Sequence, residues 1–245
     1  HAGRATREVI RPATIASRAF DLLFPPRCVT EGCGEVGAFI CSECLESAPL
    51  ADGDRCTRCW DLVSHGHCSA CAAHSPAFTA LRSPYAYTGS VRKAVHALKF
   101  FGVTAIAPLL GDLMANCHSA WLPPVAAIVP VPLSGRRQRA RGFNQADLLA
   151  KEIRRATGLP VQRRWLRRAR HTQPQTEQTG AEARRLNVRD AFAPGSEPAH
   201  GSVLLIDDVA TTGATLDACA RVLLHNGASS VYGLTVARAA IGADR

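Results

Sequence analysis

The segment from Val203 to Thr215, VLLIDDVATTGAT, joins two adjacent acids to a short threonine-rich loop. Val203 to Ile206 are all apolar, which predicts a strand buried on both faces, as in a parallel sheet. Asp207 and Asp208 then stand at the carboxyl end of the predicted strand. Two carboxylates side by side suit vicinal sugar hydroxyls or a magnesium ion. The pattern therefore indicates a site for a sugar or a cation.

The loop after these acids leads into a predicted helix. Apolar residues recur at helical spacing from Leu216 to Leu224, and Gly227 ends the pattern. A helix start offers unpaired backbone N–H groups and the positive end of the helix dipole, which together bind a phosphate. Gly213 lets the backbone approach such an anion closely. The alternative is an ordinary strand-to-helix turn in which Asp and Thr act as caps.

The whole segment resembles the phosphoribosyl pyrophosphate (PRPP) signature of type I phosphoribosyltransferases, at the apolar strand, both acids and the T-T-G-x-T loop. The resemblance implies that Asp207 and Asp208 are the catalytic pair and contact the ribose 2- and 3-hydroxyls. It also implies a site for the 5-phosphate, formed by Ala210, Thr211, Thr212, Gly213, Ala214 and Thr215. No G-x-x-x-x-G-K-[ST] sequence occurs in the chain, so the ordinary mononucleotide loop is not a competitor.

Eight of the ten cysteines fall early in the chain as four pairs: Cys28/Cys33, Cys41/Cys44, Cys56/Cys59 and Cys68/Cys71. Three pairs have the C-x-x-C spacing that lets two thiolates reach one tetrahedral zinc ion, and the first pair has a longer C-x4-C spacing. Disulfides are the alternative, but the composition resembles that of a cytosolic protein and no signal peptide is recognisable. We therefore expect two zinc ions, each with four thiolate ligands and a structural role.

Two pairings of these cysteines are open. Consecutive pairing would make two tandem zinc ribbons, and interleaved pairing would make one cross-braced unit. The short gaps between pairs favour the tandem arrangement, because each ribbon then closes locally.

A second candidate site follows an apolar strand predicted from Ala126 to Val131. The chain continues as VPVPLSGRRQRARGFNQA, and we expect a pyrophosphate-binding loop there, formed by Ser134, Gly135, Arg136, Arg137, Arg139 and Arg141. Ligands of open α/β sheets collect at the carboxyl ends of strands, so this loop and the acidic segment should line one crevice. Residues 136–170 hold twelve of the 29 basic residues. A solvated basic face or a nucleic-acid surface is the alternative.

Alternating helix and strand patterns predict an α/β fold with an open, mostly parallel sheet and helices on both faces, like that of type I phosphoribosyltransferases. We expect an N-terminal helical or flexible segment over 1–24, a double zinc-ribbon module over 25–76 and a phosphoribosyltransferase-like domain over 77–240. A polar segment at about 167–187 is predicted to form a flexible loop. No apolar run approaches the length of a membrane span.

The combination of cysteine pairs with YAYTGSVRKAVHALKFFG, VPVPLSGRRQRARGFNQ, HTQPQT and IDDVATTGAT resembles the ComF family over about residues 22–238. Members of that family are bacterial, cytoplasmic and associated with DNA uptake in natural transformation. The resemblance implies a Mg²⁺-dependent transfer of phosphoribosyl from PRPP to a nitrogen acceptor that the sequence does not identify. A non-catalytic PRPP sensor, or an adaptor that binds single-stranded DNA or other competence proteins, is the alternative. No membrane partner is expected, and the oligomeric state is left open.

Overall fold

The computed structural model describes residues 25–63, 67–118, 121–169, 188 and 190–239. The predicted N-terminal segment 1–24 and residues 170–187 of the predicted loop lie outside the described residues. Within the described residues, no helix combines the length and the apolar character that crossing a bilayer would need.

The strands are β1 (Ala80–Arg82), β2 (Tyr85–Ala86), β3 (Ala127–Pro130), β4 (Leu166–Arg168), β5 (Phe192–Pro194), β6 (Ser202–Ala210) and β7 (Ser230–Arg238). The helices are α1 (Ser42–Glu46), α2 (Ser69–Ala73), α3 (Gly89–Phe100), α4 (Ala107–His118), α5 (Gly135–Arg141), α6 (Gln145–Thr157) and α7 (Ala214–His225). A 3₁₀ turn over Thr104–Ile106 precedes α4.

The central sheet of the described chain has five strands, all paired in parallel. Its order is β1, β7, β6, β3, and β2 pairs with β7 beyond the end of β1. Strands β4 and β5 form a separate antiparallel pair. Parallel neighbours bring the carboxyl ends of β3, β6 and β7 to one edge of the sheet, where the predicted site residues also lie.

Side chains of β6 alternate between two apolar clusters, one on each face of the sheet. Val203 and Leu205 belong to the cluster that includes residues of α7, whereas Leu204 and Ile206 belong to the cluster that includes residues of α3, α4 and α6. Helices therefore cover both faces, which explains why every residue from Val203 to Ile206 is apolar. The predicted fold class is confirmed.

Two elements differ from the sequence prediction. Strand β6 does not stop before the acids but continues to Ala210, because Asp207, Val209 and Ala210 keep their pairing with β7. The predicted basic loop is largely a short helix, α5, whose N-cap Ser134 accepts a hydrogen bond at Oγ from the backbone N–H of Arg137 (3.4 Å).

The first two residues of the predicted loop at 167–187 belong to a strand instead. Arg167 and Arg168 lie in β4, where they are paired with Ala193 and Phe192 of β5.

Candidate functional site

The eight paired cysteines form two groups of four within the described residues. Each group is made of consecutive pairs: Cys28, Cys33, Cys41 and Cys44 form the first tetrad, and Cys56, Cys59, Cys68 and Cys71 form the second tetrad. The tandem arrangement favoured by the short gaps is therefore the one that the fold adopts. In each tetrad all four sulfur atoms lie within 4.8 Å of one another.

The spacing of the sulfur atoms fits a tetrahedral metal site. Four thiolates around one zinc ion at about 2.3 Å would stand about 3.8 Å apart. The Sγ atoms of Cys33 and Cys41 are 3.6 Å apart, and those of Cys59 and Cys68 are 3.4 Å apart. Both tetrads could therefore hold a metal ion, and four-thiolate coordination is typical of structural zinc.

A cleft of about 400 Å³ opens at the carboxyl ends of β3 and β6. It brings together two segments that are far apart in the sequence, the acidic end of β6 and the basic helix α5. Of the predicted site residues, those that line it are Arg137, Arg141, Asp207, Asp208, Thr211, Thr212, Ala214 and Thr215. The separate polar segments thus share one cavity.

Helical spacing decides which of the four predicted arginines face this cleft. Arg137 and Arg141 are four positions apart on α5 and both line it, whereas Arg136 and Arg139 are exposed and do not. Ser134 caps the helix and Gly135 begins it, so neither lines the cleft. Burial lowers the pKa of Arg141, and the nearby charge of Asp208 opposes this shift.

The segment after β6 turns sharply into α7. Gly213 is the N-cap of α7 and has φ of +75°, a left-handed conformation that favours glycine. Gly213 and Ala210 are buried behind the cleft surface. The hydroxyl of Thr212 accepts a hydrogen bond from the backbone N–H of Ala214 (3.3 Å). The remaining first-turn N–H groups and the positive end of the helix dipole are groups that can bind an anion.

The two acids have different surroundings. Asp208 is buried, and its Oδ1 forms an ion pair with Lys99 Nζ at 2.8 Å. Its Oδ2 is buried and has no hydrogen-bond partner among the described residues. Asp207 accepts a hydrogen bond at Oδ1 from the backbone N–H of Asp208 (2.9 Å). Burial, followed by the charge of Asp208, raises the pKa of Asp207 from 3.8 to about 7.

Three polar residues that line the cleft are not among those predicted from the sequence: Lys99, Gln145 and Arg168. Lys99 lies in the last turn of α3 and forms an ion pair with Asp208, although the two residues are distant in sequence. Arg168 stacks over the ring of Phe192, 5.0 Å from its centre, and lies in the segment whose sequence predicts a flexible loop. No local pattern singles out Lys99, because α3 is an amphipathic helix that also carries the basic residues Arg92 and Lys93.

Comparison with curated proteins finds close relatives over most of the chain. It is 34% identical over 200 residues to the DNA utilization protein YhgH of Salmonella typhi, covering 78% of this chain and 87% of that protein. It is 30% identical to Competence protein F of Haemophilus influenzae, covering 82% of this chain and 90% of that protein. The chain belongs to the ComF family. A third relative of this ComF family member is Competence protein ComFC of Bacillus subtilis, 31% identical over 81% of this chain and 84% of that protein.

No model of a known protein family matches the chain. Among solved structures, this ComF family member is similar to the adenine phosphoribosyltransferase of Leishmania tarentolae, with a TM-score of 0.34 and 16% identity over 61% of each chain. The enzyme of the same name from Leishmania donovani gives a TM-score of 0.32 and 15% identity over 72% of this chain and 68% of that chain.

Proposed function

We propose that the cleft binds PRPP together with Mg²⁺ and that the protein transfers its phosphoribosyl group to a nitrogen acceptor. One observation carries the proposal: the acids of β6, the start of α7 and two arginines of α5 line a single cleft at the carboxyl ends of parallel strands. PRPP carries a sugar diol, a phosphate and a pyrophosphate. Each of these three groups has a chemically matched partner in the cleft.

The 5-phosphate is assigned to the start of α7. Unpaired N–H groups and the positive end of the helix dipole attract a phosphate dianion. The hydroxyls of Thr211 and Thr215 line the cleft beside these groups and can donate to phosphate oxygens. The tight turn at Gly213 allows the backbone at the start of α7 to approach the phosphate closely.

The pyrophosphate is assigned to the side of the cleft formed by α5. Arg137 and Arg141 project from the same face of this helix, and guanidinium groups form paired hydrogen bonds with phosphate oxygens. They can therefore hold the pyrophosphate in the ground state. Because negative charge builds on its bridging oxygen as it leaves, they also stabilise the departing group.

The ribose diol is assigned to Asp207 and Asp208. Hydroxyl groups donate to carboxylate oxygens, and Asp208 Oδ2 is a buried acceptor with no hydrogen-bond partner among the described residues. The same orphaned oxygen fits a Mg²⁺ complex of PRPP, because this ion prefers carboxylate oxygen ligands and keeps several waters and phosphate oxygens. Bound Mg²⁺ would neutralise charge on the pyrophosphate.

In the proposed reaction, the bond between ribose C1 and the pyrophosphate oxygen breaks and a bond from C1 to the acceptor nitrogen forms. Both bonding electrons leave with the pyrophosphate, the acceptor nitrogen supplies the new pair, and the proton that this nitrogen carried is lost to solvent water. The ribose passes through a cation-like transition state, which the ionised form of Asp207 stabilises, whereas the charge of Asp208 is shared with Lys99. The proposed roles of the two acids are therefore orientation of the diol and electrostatic stabilisation.

A second candidate function is a PRPP-sensing or single-stranded-DNA-binding adaptor in DNA uptake. Arg136 and Arg139 favour it, because they are exposed on α5 and do not line the cleft. Relatives named as competence and DNA utilization proteins also favour a role in the handling of DNA. Phosphate contacts of this kind predict an affinity for DNA that falls steeply with salt.

Calorimetric titration of PRPP with Mg²⁺ into the zinc-loaded protein tests the proposed pocket, followed by measurement of pyrophosphate release with candidate bases. Asp207→Asn should weaken binding strongly. Asp208→Asn is best combined with Lys99→Met, because Lys99 would otherwise be left buried without its counter-ion. The matched control is Asp52→Asn/Asp54→Asn, which removes two carboxylates from an exposed loop.

Binding without pyrophosphate release for any acceptor would favour the sensor over the enzyme. Unchanged PRPP affinity in Asp207→Asn and in the Lys99→Met/Asp208→Asn variant would overturn the assignment of the pocket.

A further inference from the structure

The two cysteine tetrads lie against opposite faces of the sheet. Ile40 and Ala48, which flank the last pair of the first tetrad, belong to the apolar cluster of α3, α4 and α6. Cys56 and Cys59 of the second tetrad belong to the cluster on the face covered by α7. Residues 211–215 are called the phosphate segment below. Within the described chain, only the second tetrad therefore shares an apolar cluster with α7, the helix that begins inside this segment.

An aromatic side chain connects the second tetrad to the phosphate segment. Phe78 is 1% exposed, and its ring lies 3.6 Å from the position that a Cβ atom on Gly213 would occupy. Arg58, which lies between Cys56 and Cys59, donates from Nε to the carbonyl oxygen of Phe78 (3.3 Å). The segment between Cys56 and Cys59 is thus hydrogen-bonded to Phe78, the residue that packs against the turn at Gly213.

A carboxylate forms the second connection. Asp217, in the first turn of α7, is buried and accepts a hydrogen bond at Oδ1 from the backbone N–H of Ala77 (2.6 Å). Its Oδ2 lies 2.9 Å from Nε2 of His74, which follows the short helix that carries Cys71. The start of α7 is therefore tied to the chain that leaves the second tetrad.

A buried arginine forms the third connection. Arg238 is 2% exposed and donates to the carbonyl oxygen of Ala210 (3.1 Å), immediately before the phosphate segment. Its guanidinium also lies 3.6 Å from Oδ2 of Asp61, two residues after Cys59. Residues close to the second tetrad therefore contact Asp217 after the phosphate segment, and they contact Arg238, which is hydrogen-bonded to Ala210 before it.

The first tetrad has a different set of contacts. The carbonyl oxygen of Cys44 accepts a hydrogen bond from Ser90 Oγ (2.9 Å) at the start of α3, and Lys93 of α3 pairs with Glu31. The contacts described for this tetrad reach α3 rather than the phosphate segment. It therefore provides an internal control of the same chemistry.

We propose that metal binding by the second tetrad and phosphate binding by the phosphate segment are linked equilibria, with Phe78, Asp217 and Arg238 as the positioning residues that connect them. This inference rests on the proposed phosphate site. A metal ion fixes the geometry of the chain segments that carry its four thiolates. These segments in turn position the contacts made by Phe78, Asp217 and Arg238. Linkage between two binding sites is reciprocal, so each ligand strengthens the binding of the other by the same factor.

The first experiment measures the affinity of the zinc-loaded protein for ribose 5-phosphate by calorimetry and compares one cysteine substitution in each tetrad. Cys71→Ser and Cys33→Ser remove one ligand each from positions of similar exposure. We expect Cys71→Ser to weaken binding at least about tenfold, the usual size of a coupling between sites. Cys33→Ser should change the affinity less than about twofold.

The second experiment reads the linkage in the opposite direction and does not require that Cys71→Ser fold. Zinc release to a coloured chelator is followed from Cys33→Ser, whose intact site is the second tetrad, with and without ribose 5-phosphate. At equilibrium, the chelator should hold less of the zinc when the phosphate is bound. In Cys33→Ser/Asp217→Asn, zinc should still bind, but the protection by ribose 5-phosphate should be smaller, because one connection is lost.

The outcomes separate this inference from the proposed function. Wild-type protein that binds neither ribose 5-phosphate nor PRPP would overturn both. The linkage alone would be overturned by three results together: the wild-type protein binds ribose 5-phosphate, the two cysteine variants bind it with equal affinity, and the phosphate has no effect on zinc release. The proposed pocket would then stand.

Discussion

The ammonium group of Lys99 lies 2.8 Å from Oδ1 of Asp208, and both side chains are largely buried. Burial opposes the charge of Lys99, but attraction to Asp208 and the hydrogen bond between them raise its pKa above the usual value. The cleft therefore contains a lysine that neutralises one of its two acids. Since Asp207 has no such counter-ion at hydrogen-bond distance among the described residues, the two carboxyl groups should behave differently in solution.

Removing one member of this pair should destabilise the protein more than removing both. Lys99→Met leaves the Asp208 carboxylate buried without its partner, which we expect to lower the free energy of unfolding by roughly 3–5 kcal/mol. In Lys99→Met/Asp208→Asn the uncompensated charge is gone, so most of that loss should be recovered. Urea denaturation of the four members of this cycle measures the effect. Equal stability of wild type and Lys99→Met would mean that the pair is not formed in solution.

The raised pKa of Asp207 predicts how stability depends on pH. The unfolded chain loses this proton near pH 4, whereas the folded chain keeps it until about pH 7. The folded state consequently binds more protons between these values, and its stability falls as the pH rises through that window. Asp207→Asn removes the titrating group, so its stability should fall less than that of wild type between pH 4 and pH 7.

Denaturant unfolding of both proteins at several pH values checks this prediction, since the difference between the two curves isolates Asp207 from the other titrating groups. Curves that stay parallel from pH 4 to pH 7 would show that the carboxyl has an ordinary pKa in the folded protein.

The sequence was most informative where a local pattern carries the chemistry. The apolar run before Asp207, the loop up to Thr215 and the spacing of the cysteine pairs each predicted a feature that the structure contains. In each case the residues that act together are close in sequence. Spacing alone could therefore reveal them.

Residues that act across the fold left no such signal. Lys99 reaches Asp208 only because α3 packs beside the end of β6, and Arg168 reaches the cleft only because β4 is paired with β5. The basic segment was predicted as a loop, since four arginines near a glycine show no apolar periodicity. Its helical geometry, which separates Arg137 from Arg139, comes from the cap at Ser134.

Gly213 should be needed for phosphate binding beyond its effect on stability. Gly213→Ala places a side chain on a backbone with φ of +75°, which costs about 1–2 kcal/mol, although the added Cβ would make only ordinary contact with Phe78. Gly158 has the same φ at the end of α6, with open space around it, and provides the matched control. Both variants should lose similar stability in urea denaturation, but only Gly213→Ala should weaken PRPP binding in calorimetry. A similar PRPP affinity in both variants would argue against a phosphate at this turn.

Two double variants of α5 remove the same charge from its two faces and should differ in their affinity for PRPP. Arg137→Ala/Arg141→Ala takes two guanidinium groups from the cleft, and Arg136→Ala/Arg139→Ala takes two from the exposed side of the same helix. A charge-assisted hydrogen bond contributes about 1.5–3 kcal/mol, so the first variant should bind PRPP at least about tenfold more weakly, and the second nearly as well as wild type. If the adaptor function is correct instead, the second variant should lose affinity for single-stranded DNA and show a shallower dependence of that affinity on salt. Calorimetry measures the affinity for PRPP, and salt-dependent fluorescence anisotropy with a labelled oligonucleotide measures the affinity for DNA, so the two faces of α5 are assigned independently. An equal loss of PRPP affinity in the two variants would indicate that only net charge matters.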